Sequence, residues 1–417
     1  MTAEIIEATK SKMTRENKTH HSMKELAQRS PESYVASTVK DLPPSGIRKF
    51  FDIVVGMKDV ISLGVGEPDF ATPWHIREAC IYSLECGNTS YTSNKGLIEL
   101  REMLSESIKK DLDLSYDPEG DILITTGVSE AVDLAFRAVL NPGDEVIVPQ
   151  PCYVAYIPDV ILAGGVPKVV ATKLSDQFKL RAKDVEAALT EKTKVLLLSY
   201  PNNPTGAIMT QDDLEEIADV VVENDLLVIS DEVYDKLTYE GKHASIAQLE
   251  GMKDRTILLN GFSKSCAMTG WRIGYAAGDP SLVGAMTKVH QYTMLCAPVM
   301  AQMAAIEALK RGDVEMMEMK REYNRRRHLF VSELERIGLP CFEPKGAFYA
   351  FPSIEGTGLS SEEFAERLLN EQKVAAVPGS VFGEGGEGFL RCSYATSREE
   401  IMEAVERMER FLVGRGL

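Results

Sequence analysis

Asn260-Gly-Phe-Ser-Lys-Ser-Cys-Ala-Met-Thr-Gly-Trp-Arg-Ile-Gly-Tyr275 follows an apolar run at 256–259 and gathers Ser263, Lys264 and Arg272 in one short loop. A lysine on a loop after a buried strand is held away from bulk water. That lowers the pKa of its amine and makes it a nucleophile toward carbonyls. Arg272 offers a planar fork of donors suited to a phosphate, and the Ser263 hydroxyl can add another bond. Alone, Lys264 reads as one surface lysine among many. Beside Ser263 and Arg272, with Gly270-Trp271 packed between them, it reads as part of a site for an aldehyde that carries a phosphate.

Upstream of this loop the pattern is regular. Apolar, strand-like runs at 121–126, 145–148, 166–171, 194–198, 226–230 and 255–259 alternate with helical runs, among them 129–140 and 211–223. The last of these carries Leu214, Ile217, Ala218, Val221 and Val222 on one face. Continuous apolar strands separated by amphipathic helices predict an α/β fold, its large domain a mostly parallel sheet covered by helices on both sides. Polar clusters follow five of the strands: Gly127-Val-Ser129, Pro149-Gln-Pro-Cys-Tyr153, Asn202-Asn-Pro-Thr-Gly206, Asp231-Glu-Val-Tyr234 and Ser263-Lys264. One such cluster is an ordinary turn. Five at the carboxyl ends of strands lie where open α/β sheets bind ligands.

The rest of the chain divides around that sheet. Residues 1–30 read as a polar tail, in which His20 and His21 are solvated rather than metal-binding. Residues 31–75 read as the N-terminal part of a smaller domain, 76–313 as the large domain and 314–417 as the C-terminal part of the smaller one. The smaller domain is thus expected to be α+β and built from both chain ends. Gly64 and Gly66 sit in a turn that lets backbone approach a ligand. Arg325-Arg-Arg-His328, on a long charged helix expected at 314–337, reads as a solvated face. Gly383-Glu-Gly-Gly-Glu-Gly388 fits the dinucleotide pattern GxGxxG, but it precedes a strand rather than a helix, and Glu384 and Glu387 would repel a pyrophosphate. It reads as a loop.

Composition excludes several classes. The 417 residues are 44% hydrophobic and 26% charged, an ordinary globular balance with ample material for a core. A formal net charge of -17 argues against a nucleic-acid surface. The seven cysteines are odd in number and never form a CxxC pair, so neither a disulfide framework nor a zinc site is indicated. Cys266, close to Lys264, reads as a packed thiol. No apolar run approaches the ~20 residues of a membrane helix, and the N-terminus lacks a signal-peptide core. The expected location is cytoplasmic.

With these motifs in hand, the chain over roughly 35–415 resembles a class I aminotransferase, a pyridoxal-phosphate enzyme of the aspartate aminotransferase fold, in the branch that holds aspartate and aromatic aminotransferases. The resemblance implies pyridoxal 5'-phosphate as cofactor. Lys264 matches the Schiff-base lysine that also moves the proton between substrate and cofactor. Asp231 matches the carboxylate facing the pyridine nitrogen, Tyr234 and Asn203 the pair that bonds the ring hydroxyl, and Tyr153 the aromatic on the ring face. The phosphate would meet Val128 and Ser129 at a helix N-terminus, with Ser263 and Arg272. Arg391, in Leu390-Arg-Cys-Ser-Tyr-Ala395, matches the clamp on the substrate α-carboxylate, assisted by Gly66 and Asn203. Tyr91 matches a tyrosine that reaches the neighbouring subunit's phosphate, which implies a homodimer with shared sites.

Amino acids and 2-oxo acids are the implied partners, in a ping-pong exchange. Two departures bear on which. Gly261 stands where some relatives have a further phosphate-binding serine. Some aspartate-selective relatives carry a lysine at the position of Ser129, or an arginine near 292–294, and neither cation is present here. With Gly46, Ile47 and Tyr91 near the side-chain pocket, aromatic or broad substrates are as well supported as aspartate or glutamate. Arg48 is a candidate for the missing charge. β-Elimination on the same fold is the alternative reaction. An effector-binding regulator is disfavoured, because about 30 polar residues are too few for the DNA-binding domain of ~50 or more that it needs.

Overall fold

The computed structural model describes residues 30–44, 46, 47 and 57–414. The polar tail expected at 1–30, apart from Ser30, lies outside these residues, as does Arg48. The chain divides into two compact units at Pro43/Pro44. Within the first, a 3-10 turn at Pro31–Tyr34 and a single helical turn at Ser37–Lys40 bury no residue.

The second unit holds every other element. Its strands are β1 (Ile61–Ser62), β2 (Ile122–Thr125), β3 (Glu145–Gln150), β4 (Val166–Ala171), β5 (Thr193–Ser199), β6 (Leu227–Asp231), β7 (Thr256–Gly261), β8 (Gly274–Ala277), β9 (Cys341–Phe342), β10 (Tyr349–Pro352), β11 (Val374–Ala375), β12 (Val377–Pro378) and β13 (Leu390–Ser393). Seven form the main sheet in the order β2-β8-β7-β6-β5-β3-β4. Pairing is parallel except where β8 joins β2 and β7. β8 is the strand that the sequence reading lacks. Gly274-Tyr-Ala-Ala277 is four residues long and poor in β-branched side chains, and it holds its place because all four positions are buried between neighbours.

Both sheet faces are covered, which is why β2 and β7 are buried along their whole length and mostly aliphatic. On one face α1 (Val128–Val139) packs Ala131, Leu134, Ala135 and Phe136 against Leu197, Ile229, Ile257 and Leu259. On the other, α2 (Gln211–Glu223) buries Leu214, Ile217, Ala218 and Val221 near Leu196, Leu198 and Val228. A capping box between Thr210 and Asp213 fixes the start of α2. Each large aliphatic side chain buried in these layers stabilises the fold by about 1.5–3 kcal/mol.

The register aligns the strand ends. Ser199 pairs with Asp231, Asp231 with Leu259, and Gly274 with both Gly261 and Thr125. The segments that follow β2, β5, β6 and β7 therefore leave the sheet on one edge.

A second, antiparallel sheet in the order β12-β13-β10-β9 carries Tyr349 and Arg391. β1 pairs in parallel with β11, Ile61 opposite Val374, so the early segment around Gly64 and Gly66 is tied to the C-terminal part of the chain. This gives the smaller antiparallel unit contributions from both sides of the main sheet in sequence. The helix α3 (Asp313–Arg336) corrects one expectation. Arg326 and Arg327 are not on a solvated face but buried. Arg326 donates Nη1 to both carboxylate oxygens of Asp69 at 2.8–2.9 Å and stacks near Phe70 and Tyr323. Arg327 donates to the Pro344 carbonyl at 2.7 Å and to Glu240 at 3.1 Å.

Candidate active site

At the common edge of the main sheet lies a cavity of about 660 Å3. Ile47, Gly66, Val128, Ser129, Tyr153, Asn203, Asp231, Tyr234, Ser263, Lys264, Arg272 and Arg391 all line it. These are the residues matched from the sequence to cofactor or substrate, apart from Tyr91, which is 82% exposed and does not line the cavity; nor does Gly46, expected near the side-chain pocket. The six-residue loop Gly383–Gly388 forms a 3-10 turn before β13, in keeping with its reading as a loop.

Lys264 sits on the turn after β7, and its Nζ donates to the Gly66 carbonyl at 2.7 Å. Burial pushes its amine down to about 8, with Glu67 opposing and Arg391 and Arg272 adding to the shift. Asp231 ends β6. Burial raises its carboxyl to about 6, against the opposing effect of a 2.8 Å bond from the Tyr156 hydroxyl and a 3.1 Å bond from the Val233 amide. At neutral pH Asp231 is therefore an ionised carboxylate in a dry place, and Lys264 an amine close to its titration point. The neighbouring Cys266 thiol is pushed up to about 11 by burial, in keeping with a packed role.

The turn between β2 and α1 makes a cradle. Gly127 has φ +79° and ψ 167°, a backbone conformation that only glycine adopts readily. A Cβ there would lie 2.5 Å from Arg272 Nη2. Arg272 itself is left-handed at φ +53° and donates Nη1 to the Thr269 carbonyl at 2.9 Å. Glu130 accepts the Thr126 amide at 2.5 Å and the buried His290 at 2.7 Å, which fixes the turn from behind. The result is a helix N-terminus, a guanidinium and the hydroxyls of Ser129 and Ser263 facing one space. A side chain at Gly261 would be tight there: its Cβ would sit 3.0 Å from the Gly274 Cα and the Ile273 carbonyl.

Across the cavity Arg391 is 2% exposed and has no carboxylate partner among the described residues. Nη1 donates to Asn203 Oδ1 at 3.1 Å, Nη2 to the Gly64 carbonyl at 2.6 Å, and the buried Nε has no acceptor. The guanidinium lies over the rings of Tyr349 and Phe382, 4.7 and 5.0 Å from their centroids. A structural ion pair does not explain Arg391.

Sequence reasoning missed Tyr156, Tyr349, Glu67 and Asp159, all in the cavity wall. Tyr156 and Asp159 follow Tyr153 at intervals of three, the spacing of one helical turn, and that was the available signal. Tyr349 gives none locally, since its partners Tyr234 and Arg391 are distant in sequence.

A desolvated lysine, a buried carboxylate, a helix N-terminus facing a guanidinium, and a second buried guanidinium without a carboxylate partner among the described residues meet in this one cavity. A family profile described as aminotransferase class I and II matches residues 58–408. The chain belongs to this family and is an aminotransferase; its members depend on pyridoxal phosphate. It is 56% identical over 380 residues to a putative aminotransferase, YugH, of Bacillus subtilis, covering 91% of this chain and 98% of that one. It is 50% identical to an aspartate aminotransferase of Pyrococcus abyssi, covering 88% and 96%. Among solved structures, an aromatic aminotransferase from Pyrococcus horikoshii superposes with a TM-score of 0.85 at 47% identity, covering 89% and 99%. These relatives favour transamination over elimination. Among the described residues no helix is long and apolar enough to cross a membrane.

Proposed function

We propose that this aminotransferase binds pyridoxal 5'-phosphate at Lys264 and uses it to exchange amino groups between L-amino acids and 2-oxo acids, with an aromatic or broad side-chain preference. The convergence of Lys264, Asp231, Arg272 and Arg391 on one cavity carries the reading. The donor set fits the group: an anion cradle whose glycine leaves room beside Arg272, and a buried carboxylate and a buried amine lining the same cavity. When bound, pyridoxal phosphate supplies the electron-withdrawing ring that stabilises negative charge at the substrate Cα.

The chain's own groups do the rest. Asp231 holds a proton on the ring nitrogen, and Tyr156 keeps that carboxylate oriented. Tyr234 and Asn203 donate to the ring oxygen, and Tyr153 covers the ring face. Val128 and Ser129 backbone amides, the Ser263 hydroxyl and Arg272 bind the phosphate. Arg391 clamps the substrate α-carboxylate, with Asn203 and the Gly66 backbone beside it. Lys264, an amine near its titration point at neutral pH, would hold the cofactor and would accept and return a proton at the substrate Cα. Residues 31–75 with 314–417 act as the smaller domain against 76–313, and Tyr91 completes the site of a second copy in a homodimer.

The preference follows from charge. Lys264, Arg272 and Arg391 are the cations among the described lining residues, and each already has a role. Glu67, Asp159 and Asp231 are the anions. Among the described lining residues a second substrate carboxylate would meet no spare cation, whereas an apolar side chain would meet Ile47, Val65 and Tyr153. The test is a half-reaction: cofactor-loaded protein, one amino acid at a time, no 2-oxo acid, following visible absorbance and 2-oxo acid release. Phenylalanine or tyrosine should react at least as fast as aspartate. Release that is tenfold faster with aspartate would overturn the preference, and no release with any amino acid would overturn the cofactor reading. Size-exclusion with light scattering tests the dimer.

A further inference from the structure

We propose that Tyr349 is a positioning residue of this site: its hydroxyl donates to the hydroxyl of Tyr234 and strengthens Tyr234 as a donor to the cofactor's ring oxygen, while its ring seats the Arg391 guanidinium. The inference rests on the roles given above to Tyr234, Lys264 and Arg391.

The two phenol oxygens are 2.8 Å apart and both are buried, so one proton lies between them. If Tyr234 spent its proton on Tyr349, it would have none to offer in the cavity. The surroundings favour the opposite direction. Arg391 sits 4.7 Å above the Tyr349 ring and favours negative charge on that phenol. Burial raises the Tyr349 pKa, but Arg391 and the bond to Tyr234 both act to lower it. Burial raises Tyr234 well above the usual phenol range and Tyr349 adds to that, with Arg391 opposing. With the guanidinium stacked on its own ring, Tyr349 is the more acidic partner and the better donor. A hydroxyl that accepts a hydrogen bond becomes a stronger donor through its own O–H, by on the order of 10–30% per bond.

The backbone places Tyr349 for both tasks. It stands on β10 opposite Ser393 of β13, two residues along from Arg391 and on the same sheet face. Its ring meets Tyr234 edge-on, with centroids 5.9 Å apart and planes at 76°. A Cβ on Gly66 would lie 2.8 Å from its hydroxyl, so the glycine keeps that oxygen where Tyr234 can accept from it. The same Gly66 offers its carbonyl to Lys264. One phenol therefore touches the group that tunes the cofactor, the group that clamps the substrate and the backbone that holds the lysine.

The test uses the cofactor-loaded enzyme and the pH midpoint of the bound cofactor's visible absorption. Loss of a donor to the ring oxygen disfavours the form in which that oxygen is negative, so the midpoint should rise. Tyr349→Phe, which keeps the ring, should raise it by a few tenths of a pH unit, and Tyr234→Phe should raise it more. The double variant should match Tyr234→Phe alone, because Tyr349 acts through Tyr234. Tyr349→Leu should in addition weaken binding of 3-phenylpropionate several-fold, while Tyr349→Phe leaves it unchanged. An unmoved midpoint in Tyr349→Phe, or additive shifts in the double variant, overturns the inference while leaving the site reading intact. A wild type with no visible band dependent on Lys264 refutes the site reading, and this inference with it.

Discussion

Replacing Gly127 by alanine should damage cofactor binding more than it damages the fold. The residue's φ of +79° and ψ of 167° place it where a non-glycine residue costs about 1–3 kcal/mol. That strain should appear as a lower urea midpoint in the cofactor-free protein. The steric effect is separate. The new methyl would lie 2.5 Å from Arg272 Nη2 and 2.9 Å from its Cζ, so the guanidinium has to leave the cradle. A charge-assisted hydrogen bond contributes about 1.5–3 kcal/mol, which corresponds to roughly 10- to 150-fold in the dissociation constant. Titration calorimetry of the cofactor-free variant with pyridoxal phosphate would measure this. Gly143→Ala is the control: its φ is +92°, but a Cβ there meets nothing within 4 Å. It should lose stability and keep affinity. A Gly127→Ala protein that binds the cofactor within twofold of wild type, or a Gly143→Ala protein that loses affinity equally, would refute the assignment of Arg272 to the phosphate.

Asp231 gives a prediction with the opposite sign for stability and activity. Its carboxyl is raised to about 6 by burial, so between its unfolded value and 6 the folded state holds more protons, and stability falls as pH rises through that window. Cofactor-free Asp231→Asn should therefore melt higher than wild type at pH 8, by up to about 3 kcal/mol at 1.36 kcal/mol per pH unit, with the gap closing by pH 4. The same variant should lose about 10²–10⁴ in kcat, measured by 2-oxo acid release, the scale of a positioned proton partner. Arg391→Lys keeps the charge but not the fork. It should raise KM for every amino acid by more than tenfold with a smaller change in kcat, and an effect confined to dicarboxylates would count against the clamp. Arg327→Met leaves the buried Pro344 carbonyl without its 2.7 Å donor and should lower stability by about 1–3 kcal/mol in urea denaturation. A change under 0.5 kcal/mol would return Arg327 to the surface class of substitutions.

Much of the main sheet was legible because parallel strands covered on both faces need continuous apolar runs, and these end in segments rich in turn formers. The edge on which the site lies followed from that alternation. β8 escaped because three of its four residues, Gly274, Ala276 and Ala277, carry no strand signal; its pairing with β2 and β7 supplies what its composition lacks. In the site, most residues singled out from the sequence stand next to strand ends in the main sheet, while Ile47, Gly66 and Arg391 come from outside it. Tyr349 lies in the other sheet, and what gives it a role is a hydroxyl 115 residues away in sequence.

The arginines show where local reading stops. Arg326, Arg327 and Arg391 are all buried, although only Arg391 stands in a largely apolar run. Arg326 and Arg327 sit in a charged helical run that looks solvated, yet each meets acceptors supplied from elsewhere, Asp69 for one and Pro344 with Glu240 for the other. A buried guanidinium with its acceptors in place belongs to the structure. Arg391 has two of its nitrogens on neutral oxygens, a third on none, and no carboxylate beside it. A cation so placed carries a desolvation cost that only an anion can offset, and the cavity is where that anion can come from. Substituting Arg391 should therefore change ligand affinity more than folding, and substituting Arg327 should do the reverse.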